Sequence, residues 1–248
     1  MRLLWPTTPA DPVSDADLER LYGYPEDLTR PWVQVNFVSS ADGAAAVDEL
    51  SEGLSHPADK RVFLLGRLLS DVILVGAGTA RAEGYRGARI SAERAARRVS
   101  LGLSEVPPIA VVTRSGDLDP AGPLFTDTKV PPIVITTEKA PRAALERAGA
   151  EVILAGTDDV DLGTALELLG KRGLYRVDCE GGPTLFGDLI AADLVDQLCL
   201  TVAPLLAGAG ARRIAHGRPA PEPRRMDLAS VLSEDGFTML RYRRREGG

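Results

Sequence analysis

A chain of 248 residues, 44% hydrophobic and 26% charged, has the makeup of an ordinary globular domain and can build a sizeable core without staples. Its formal net charge of -6 argues against a general nucleic-acid binder, because phosphate backbones favour a basic face. Two cysteines (Cys179, Cys199) and two histidines (His56, His216), all scattered, argue against a metal centre, and the H-x-E, P-C-x-x-C signature of the zinc deaminases is absent.

In chain order, residues 1–30 read as an N-terminal extension packed on a single domain that spans 1–248. They carry no positive-then-apolar signal pattern. Trp32 to Val38 reads as a strand. Pro57 to Leu69 predicts a helix, with Val62, Leu65, Leu68 and Leu69 on one face and Pro57 in the first turn. Asp71 to Val75 is a continuous apolar run, the mark of a buried strand. Gly76 to Ser104 is rich in loop residues.

Ile109–Val112, Ile133–Ile135, Val152–Leu154 and Leu174–Cys179 read as further strands. Helices are predicted over Pro141–Ala148, Leu162–Lys171 and Pro183–Ala192, the first two stopped by Gly149 and Gly173. After Asp193 the pattern changes. Leu198–Val202 and Phe237–Tyr242 are strand-like, and only the Gly-, Ala- and Pro-rich stretch Ala203–Arg225 precedes the second. The implied fold class is α/β: a mixed, mostly parallel sheet between helix layers, closed by antiparallel C-terminal strands. The basic run Arg241–Arg245 reads as a solvated strand end. The two cysteines lie in apolar runs and read as buried thiols of a reduced compartment. No segment reaches the roughly 18 apolar residues of a membrane span, so a cytoplasmic protein with no membrane partner is expected.

Three loops at predicted strand ends have ligand-binding chemistry. Gly76-Ala77-Gly78-Thr79 follows a strand; its glycines admit close approach of a phosphate, and Thr79 could cap a helix. A plain strand-to-helix turn fits the same residues. Glu180-Gly181-Gly182-Pro183-Thr184-Leu185 opens a helix at the carboxyl end of another strand, where open α/β sheets bind ligands. Thr113-Arg114-Ser115-Gly116 could grip an adenosine 2′-phosphate through hydroxyls and a guanidinium, or form a polar turn.

Taken together, these pieces resemble the pyrimidine reductases of riboflavin biosynthesis. Val35 to Gly43, ending Ser40-Ala41-Asp42-Gly43, is similar to that family's S-x-D-G entry. Arg67, then Asp71-Val72-Ile73-Leu74-Val75-Gly76 and Thr79, resembles its "L-R, then D-A-I-L-V-G-x-x-T" segment. Glu180 to Leu185, then Leu194 to Leu198 and Ala203-Pro204, resembles "E-G-G-P-x-L, L-V-D-E-L, A-P". The likeness runs from about Trp32 to Gly210 and is most specific in the last set, where several spaced pieces agree in order.

The resemblance implies a dihydrofolate-reductase-like three-layer sandwich, a homodimer, and NADPH as cofactor. It implies reduction of 5-amino-6-(5-phosphoribosylamino)uracil to its ribitylamino form. In many bacteria the family's reductase is fused to a zinc deaminase; here no deaminase domain is expected, and a separate deaminase could act beside it. The resemblance further implies that Ser39 and Gly53 touch the cofactor by backbone, that Thr79 and Glu83 lie near its nicotinamide and phosphate half, and that Gly181 to Gly187 cradle its pyrophosphate. Ser51, Arg67 and Arg89 would face the substrate, the arginines binding its phosphate, and Glu180 would hydrogen-bond it. Glu180 and Asp42 are the candidates for moving a proton, with Glu180 preferred as an orienting carboxylate. Two departures stand out. Asn36 occupies the place of a substrate-contacting family lysine, and Glu83-Gly84-Tyr85 stands where many members carry D-D-P. Two other readings remain open: a reductase of a related pyrimidine or of a pterin such as dihydrofolate, and a nucleotide-binding protein without catalysis.

Overall fold

A computed structural model describes residues 1–6, 12–47, 50–208 and 210–245. The strands are β1 (Arg2–Trp5), β2 (Trp32–Ser40), β3 (Val72–Gly76), β4 (Ile109–Val112), β5 (Ile133–Thr136), β6 (Glu151–Leu154), β7 (Arg176–Cys179), β8 (Gln197–Ala203), β9 (Met226–Glu234) and β10 (Phe237–Arg244). The helices are α1 (Asp15–Tyr22), α2 (Pro57–Leu69), α3 (Ala77–Ala82), α4 (Ala92–Ser100), α5 (Pro123–Thr126), α6 (Ala143–Arg147), α7 (Leu162–Gly170) and α8 (Pro183–Ala191). The strands form one sheet in the order β1-β9-β10-β8-β2-β7-β3-β4-β5-β6. From β8 to β6 the pairings are parallel; β10, β9 and β1 add on antiparallel, as the change of pattern after Asp193 implies.

The interior strands β3, β4 and β5 are buried on both faces, which is why they read as unbroken apolar runs. Val33, Val35, Val177 and Cys179 face a core closed by Leu166 and Leu169 of α7 and Leu185 and Leu189 of α8. On the opposite face Val62, Leu65, Leu68 and Leu69 of α2 pack with Leu18 and Tyr22 of α1. Asp196, from the L-V-D motif, is fully buried and ties β2 to β8. It accepts from Val33 N at 2.9 Å and from Arg30 Nη1 and Nη2 at 3.0 and 2.6 Å.

Several elements escape the sequence reading. Residues 1–30 are woven in: β1 is the sheet's edge strand, and α1 covers α2. α4 lies inside the stretch read as loop, because Arg98 is its only buried side chain and no apolar stripe marks it. β9 is also missed, for its apolar and polar residues do not alternate cleanly. Gly76, rather than Thr79, caps α3, so Thr79 lies inside that helix. The basic run is not a solvated strand end. β10 is an interior strand, and Arg241 is buried, donating to Ser230 Oγ at 3.1 Å and Gln197 Oε1 at 3.3 Å. Arg243 and Arg244 are half-buried and bonded to Gln197 and Asp193; Arg245 alone keeps an exposed pairing, with Asp227.

Candidate active site

Parallel packing brings the ends of β2, β7 and β3 side by side, and with them most of the candidate residues. Gly76 N donates to Gly181 O at 2.8 Å, so the turn opening α3 touches the turn opening α8. Both helices have a glycine N-cap with no side-chain cap. Their first N–H groups lack intrahelical acceptors and carry the positive end of the helix dipole. The glycines are sterically required at two positions. Gly181 has φ +94° and a Cβ there would lie 2.8 Å from Phe37; a Cβ on Gly182 would lie 2.1 Å from Thr79 Oγ1. At Gly78, by contrast, nothing in the protein lies within 4 Å of an added Cβ.

Beside these turns stands a charged cluster. Glu180, whose side chain is 0% exposed, receives Arg67 Nε on Oε1 at 2.6 Å and Arg67 Nη2 on Oε2 at 2.8 Å. Tyr85 Oη donates to Oε2 at 2.6 Å. A carboxylate offers about four acceptor sites, so Glu180 retains one on Oε1. Arg67 keeps Nη1 and lies over the Phe63 ring, 4.7 Å from its centroid. Burial disfavours the Arg67 charge, but Glu180 more than offsets it and holds the guanidinium charged. Burial, reinforced by the Glu180 charge, drives the Tyr85 phenol well above its usual range.

Arg98 supports this cluster from below. Fully buried, it donates through Nη1 to the carbonyls of Arg67, Leu68 and Ser70, at 2.6, 3.0 and 2.8 Å, closing the end of α2. Burial pushes its guanidinium down to about 10. Asn36 is buried on β2, one residue beyond the Val35–Cys179 pairing, which sets it level with Glu180.

The other candidates make separate contacts. Glu83 accepts from Ser51 N at 3.1 Å and Ser51 Oγ at 3.0 Å, tying the turn that contains Gly53 to the end of α3. Ser39 is buried in β2, pairing in register with Val202. Asp42 receives Ser40 Oγ, Ala207 N at 3.1 Å and Gly208 N at 2.8 Å, bonds that lower its carboxyl to about 2. Arg89 is bonded not to Glu180 but to Asp127, which it shares with Arg86, at 2.7 and 3.2 Å. Thr113 is buried at the end of β4, with its backbone in the ladder; Arg114 is exposed and reaches Asp159 at 3.5 Å, and Ser115 Oγ accepts from Asp117 N at 3.4 Å.

Tyr85 of the cluster, and Asp178, which packs against Gly66 of α2 beside Arg67, were not singled out from sequence. Tyr85 had a signal, since it departs from the D-D-P pattern. Asp178, a carboxylate inside an apolar strand, had one too.

Residues 31–236 match the model of the RibD C-terminal domain. The 2,5-diamino-6-ribosylamino-4(3H)-pyrimidinone 5′-phosphate reductase of Archaeoglobus fulgidus is 32% identical over 72% of this chain and 83% of its own. That of Methanothermobacter thermautotrophicus is 32% identical over 78% and 87%. The riboflavin biosynthesis protein RibD of Escherichia coli is 28% identical, and the match spans 50% of its length. A crystal structure of a pyrimidine reductase-like protein from Corynebacterium diphtheriae superposes with a TM-score of 0.79 at 26% identity, covering 92% of this chain and 98% of that one. The glycine-opened turns and these matches agree: the chain belongs to the RibD C-terminal domain family of reductases.

Proposed function

We propose that this protein is an NADPH-dependent reductase of a 6-(5-phosphoribosylamino)pyrimidine in riboflavin biosynthesis, with 5-amino-6-(5-phosphoribosylamino)uracil as the preferred substrate. The observation that carries this reading is the Gly76–Gly181 contact, which sets two uncapped helix N-termini beside the Arg67–Glu180–Tyr85 cluster. The donor set fits a dinucleotide. Backbone N–H groups at Ala77, Gly78, Thr184 and Leu185 suit a pyrophosphate. Gly78, which the protein's own packing does not require, leaves room for its close approach. Thr113, Arg114 and Ser115 would hold the adenosine 2′-phosphate that distinguishes NADPH. Ser39, Gly53, Thr79 and Glu83 would line the nicotinamide half.

When bound, the cofactor supplies hydride to the sugar C1′ of the ring-opened substrate. The protein's part is orientation. Glu180 offers its one remaining acceptor site to a pyrimidine N–H, and Arg67 and Tyr85 fix that carboxylate in place. Asn36, with Nδ2 buried and without a hydrogen-bond partner, adds a donor at the same level. Arg86 and Arg89 share a single carboxylate, so one positive charge is left over for the substrate phosphate, with Arg67 Nη1 as a second donor. Ser51 orients the Glu83 loop around the sugar. The proton that completes the reduction would come from solvent.

The protein would work in the cytoplasm, its substrate supplied by a deaminase. Two free, buried thiols suit a reducing compartment, and no described helix is long and apolar enough to cross a membrane. Exposed Leu205, Leu206 and Leu228 near β8 and β9 would be covered in a homodimer.

The test is incubation with 4-deuterated NADPH and either the uracil or the 2,5-diaminopyrimidinone form, followed by mass analysis. A ribitylamino product carrying one deuterium is expected; deuterium-free, unreduced pyrimidine from both would overturn the assignment.

A further inference from the structure

Asp178 lies two residues before Glu180 on β7, so both side chains leave the sheet on the α2 side. Its packing is close: a Cβ on Gly66 would fall 2.5 Å from Asp178 Oδ2, and the next residue of α2 is Arg67, the partner of Glu180. Asp178 is 0% exposed, and neither of its oxygens has a hydrogen-bond partner. Gln34 stands opposite in the β2–β7 register; its Oε1 receives Gln197 Nε2, and its own Nε2 has no partner either.

The titratable groups around Asp178 are Cys179 on β7, Glu180 just after it, Arg67 on α2, Tyr24 after α1 and Cys199 on β8. Arg67 is the one cation among them, and its two bonded nitrogens serve Glu180. Ionised, Asp178 would be a second buried negative charge competing for that guanidinium. Burial, with the Glu180 charge behind it, drives its carboxyl well above the ordinary range; Arg67, and the Gln34 amide that lies near it without meeting hydrogen-bond geometry, offset this only in part.

We propose that Asp178 is a positioning residue: standing as a neutral acid beneath the Arg67–Glu180 pair, it spaces α2 from β7 and leaves Arg67 wholly to Glu180. It touches neither substrate nor cofactor and acts through Glu180. The inference rests on the reading of that pair as part of the reductase site.

The test joins infrared spectroscopy to kinetics. With carbon-13-labelled aspartate, the wild-type protein at neutral pH should show a label-shifted carbonyl band of a protonated carboxylic acid, missing from Asp178→Asn. Asp178→Ala should lose about tenfold or more in kcat/KM, while Asp178→Asn, which mimics the neutral acid, should stay within about threefold of wild type. The alkaline decline of wild type should be shifted to higher pH or abolished in Asp178→Asn. Absence of the band, a loss of about tenfold in folded Asp178→Asn at neutral pH, or identical alkaline declines would each overturn the proposal. Should Asp178→Asn fail to fold, the same band missing from Asp178→Ala or Asp178→Glu assigns it to Asp178, and a band that stays in either overturns the proposal. The band is read without substrate, so a protein that shows it yet reduces neither pyrimidine counts against the reductase reading alone.

Discussion

Arg67 grips Glu180 through two parallel hydrogen bonds, Nε to Oε1 at 2.6 Å and Nη2 to Oε2 at 2.8 Å, joining the last turn of α2 to the end of β7. The pair does two jobs. It closes a polar seam inside the helix layer, and it fixes a carboxylate beside the glycine turns. Because Arg67 is 17% exposed and Glu180 0%, breaking the pair strands a mostly buried charge.

Glu180→Gln should therefore cost about 2–3 kcal/mol of stability, read by denaturant unfolding, since an amide nitrogen now meets a guanidinium nitrogen. It should also raise the KM for the pyrimidine by about tenfold, the loss of one charged hydrogen bond. Unchanged kinetics would remove Glu180 from the substrate site.

Tyr85→Phe deletes one donor to Glu180 Oε2 and nothing else in the cluster. The expected loss is about 1–2 kcal/mol of stability, with KM rising more than kcat falls. A fall in kcat at constant KM would instead place the phenol at the reacting atoms.

Gly182→Ala should abolish NADPH binding, measured by calorimetry, because the new methyl would sit 2.1 Å from Thr79 Oγ1. The double variant Thr79→Ala, Gly182→Ala removes the struck hydroxyl and should recover part of the affinity. If the single variant binds NADPH normally, the α8 turn does not hold the cofactor.

Two carboxyls give opposite pH signatures. Asp42 is lowered from 3.8 to about 2 by Ser40 Oγ and by the N–H groups of Ala207 and Gly208. Its contribution to stability is full above 3.8 and fades as pH falls toward 2. Carbon-13 titration of Asp42 should show that low midpoint. Asp178 is raised, so its contribution is full below the ordinary carboxylate value and is lost as pH climbs. Asp178→Asn should gain in Tm over wild type steadily from acid to neutral pH; a constant difference would show that Asp178 titrates normally.

The parts legible in sequence are those with local causes. β3, β4, β5 and β7 lie buried on both faces and spell themselves as apolar runs; α2 shows its stripe and its Pro57 start. The glycine turns are legible as motifs, although what excludes a Cβ there, the Phe37 ring at Gly181 and Thr79 Oγ1 at Gly182, is distant in sequence. What sequence could not show depends on long-range contact. Arg67 and Glu180 are 113 residues apart, and only the packing of α2 on β7 pairs them. Arg241 looked solvated because no local pattern shows that β9 will cover the outer edge of β10. Arg98, in a helix without an apolar stripe, is buried for its hydrogen bonds to the end of α2.

The most direct measurement of the central claim is NADPH oxidation, followed by absorbance, with 5-amino-6-(5-phosphoribosylamino)uracil, its 2,5-diaminopyrimidinone counterpart and dihydrofolate in parallel. Rapid oxidation with a phosphoribosylaminopyrimidine, and little with dihydrofolate, is the predicted result. Oxidation with dihydrofolate alone would contradict the substrate assignment while leaving the fold and the cofactor turns as described, and no oxidation with any of them would contradict the reductase account itself.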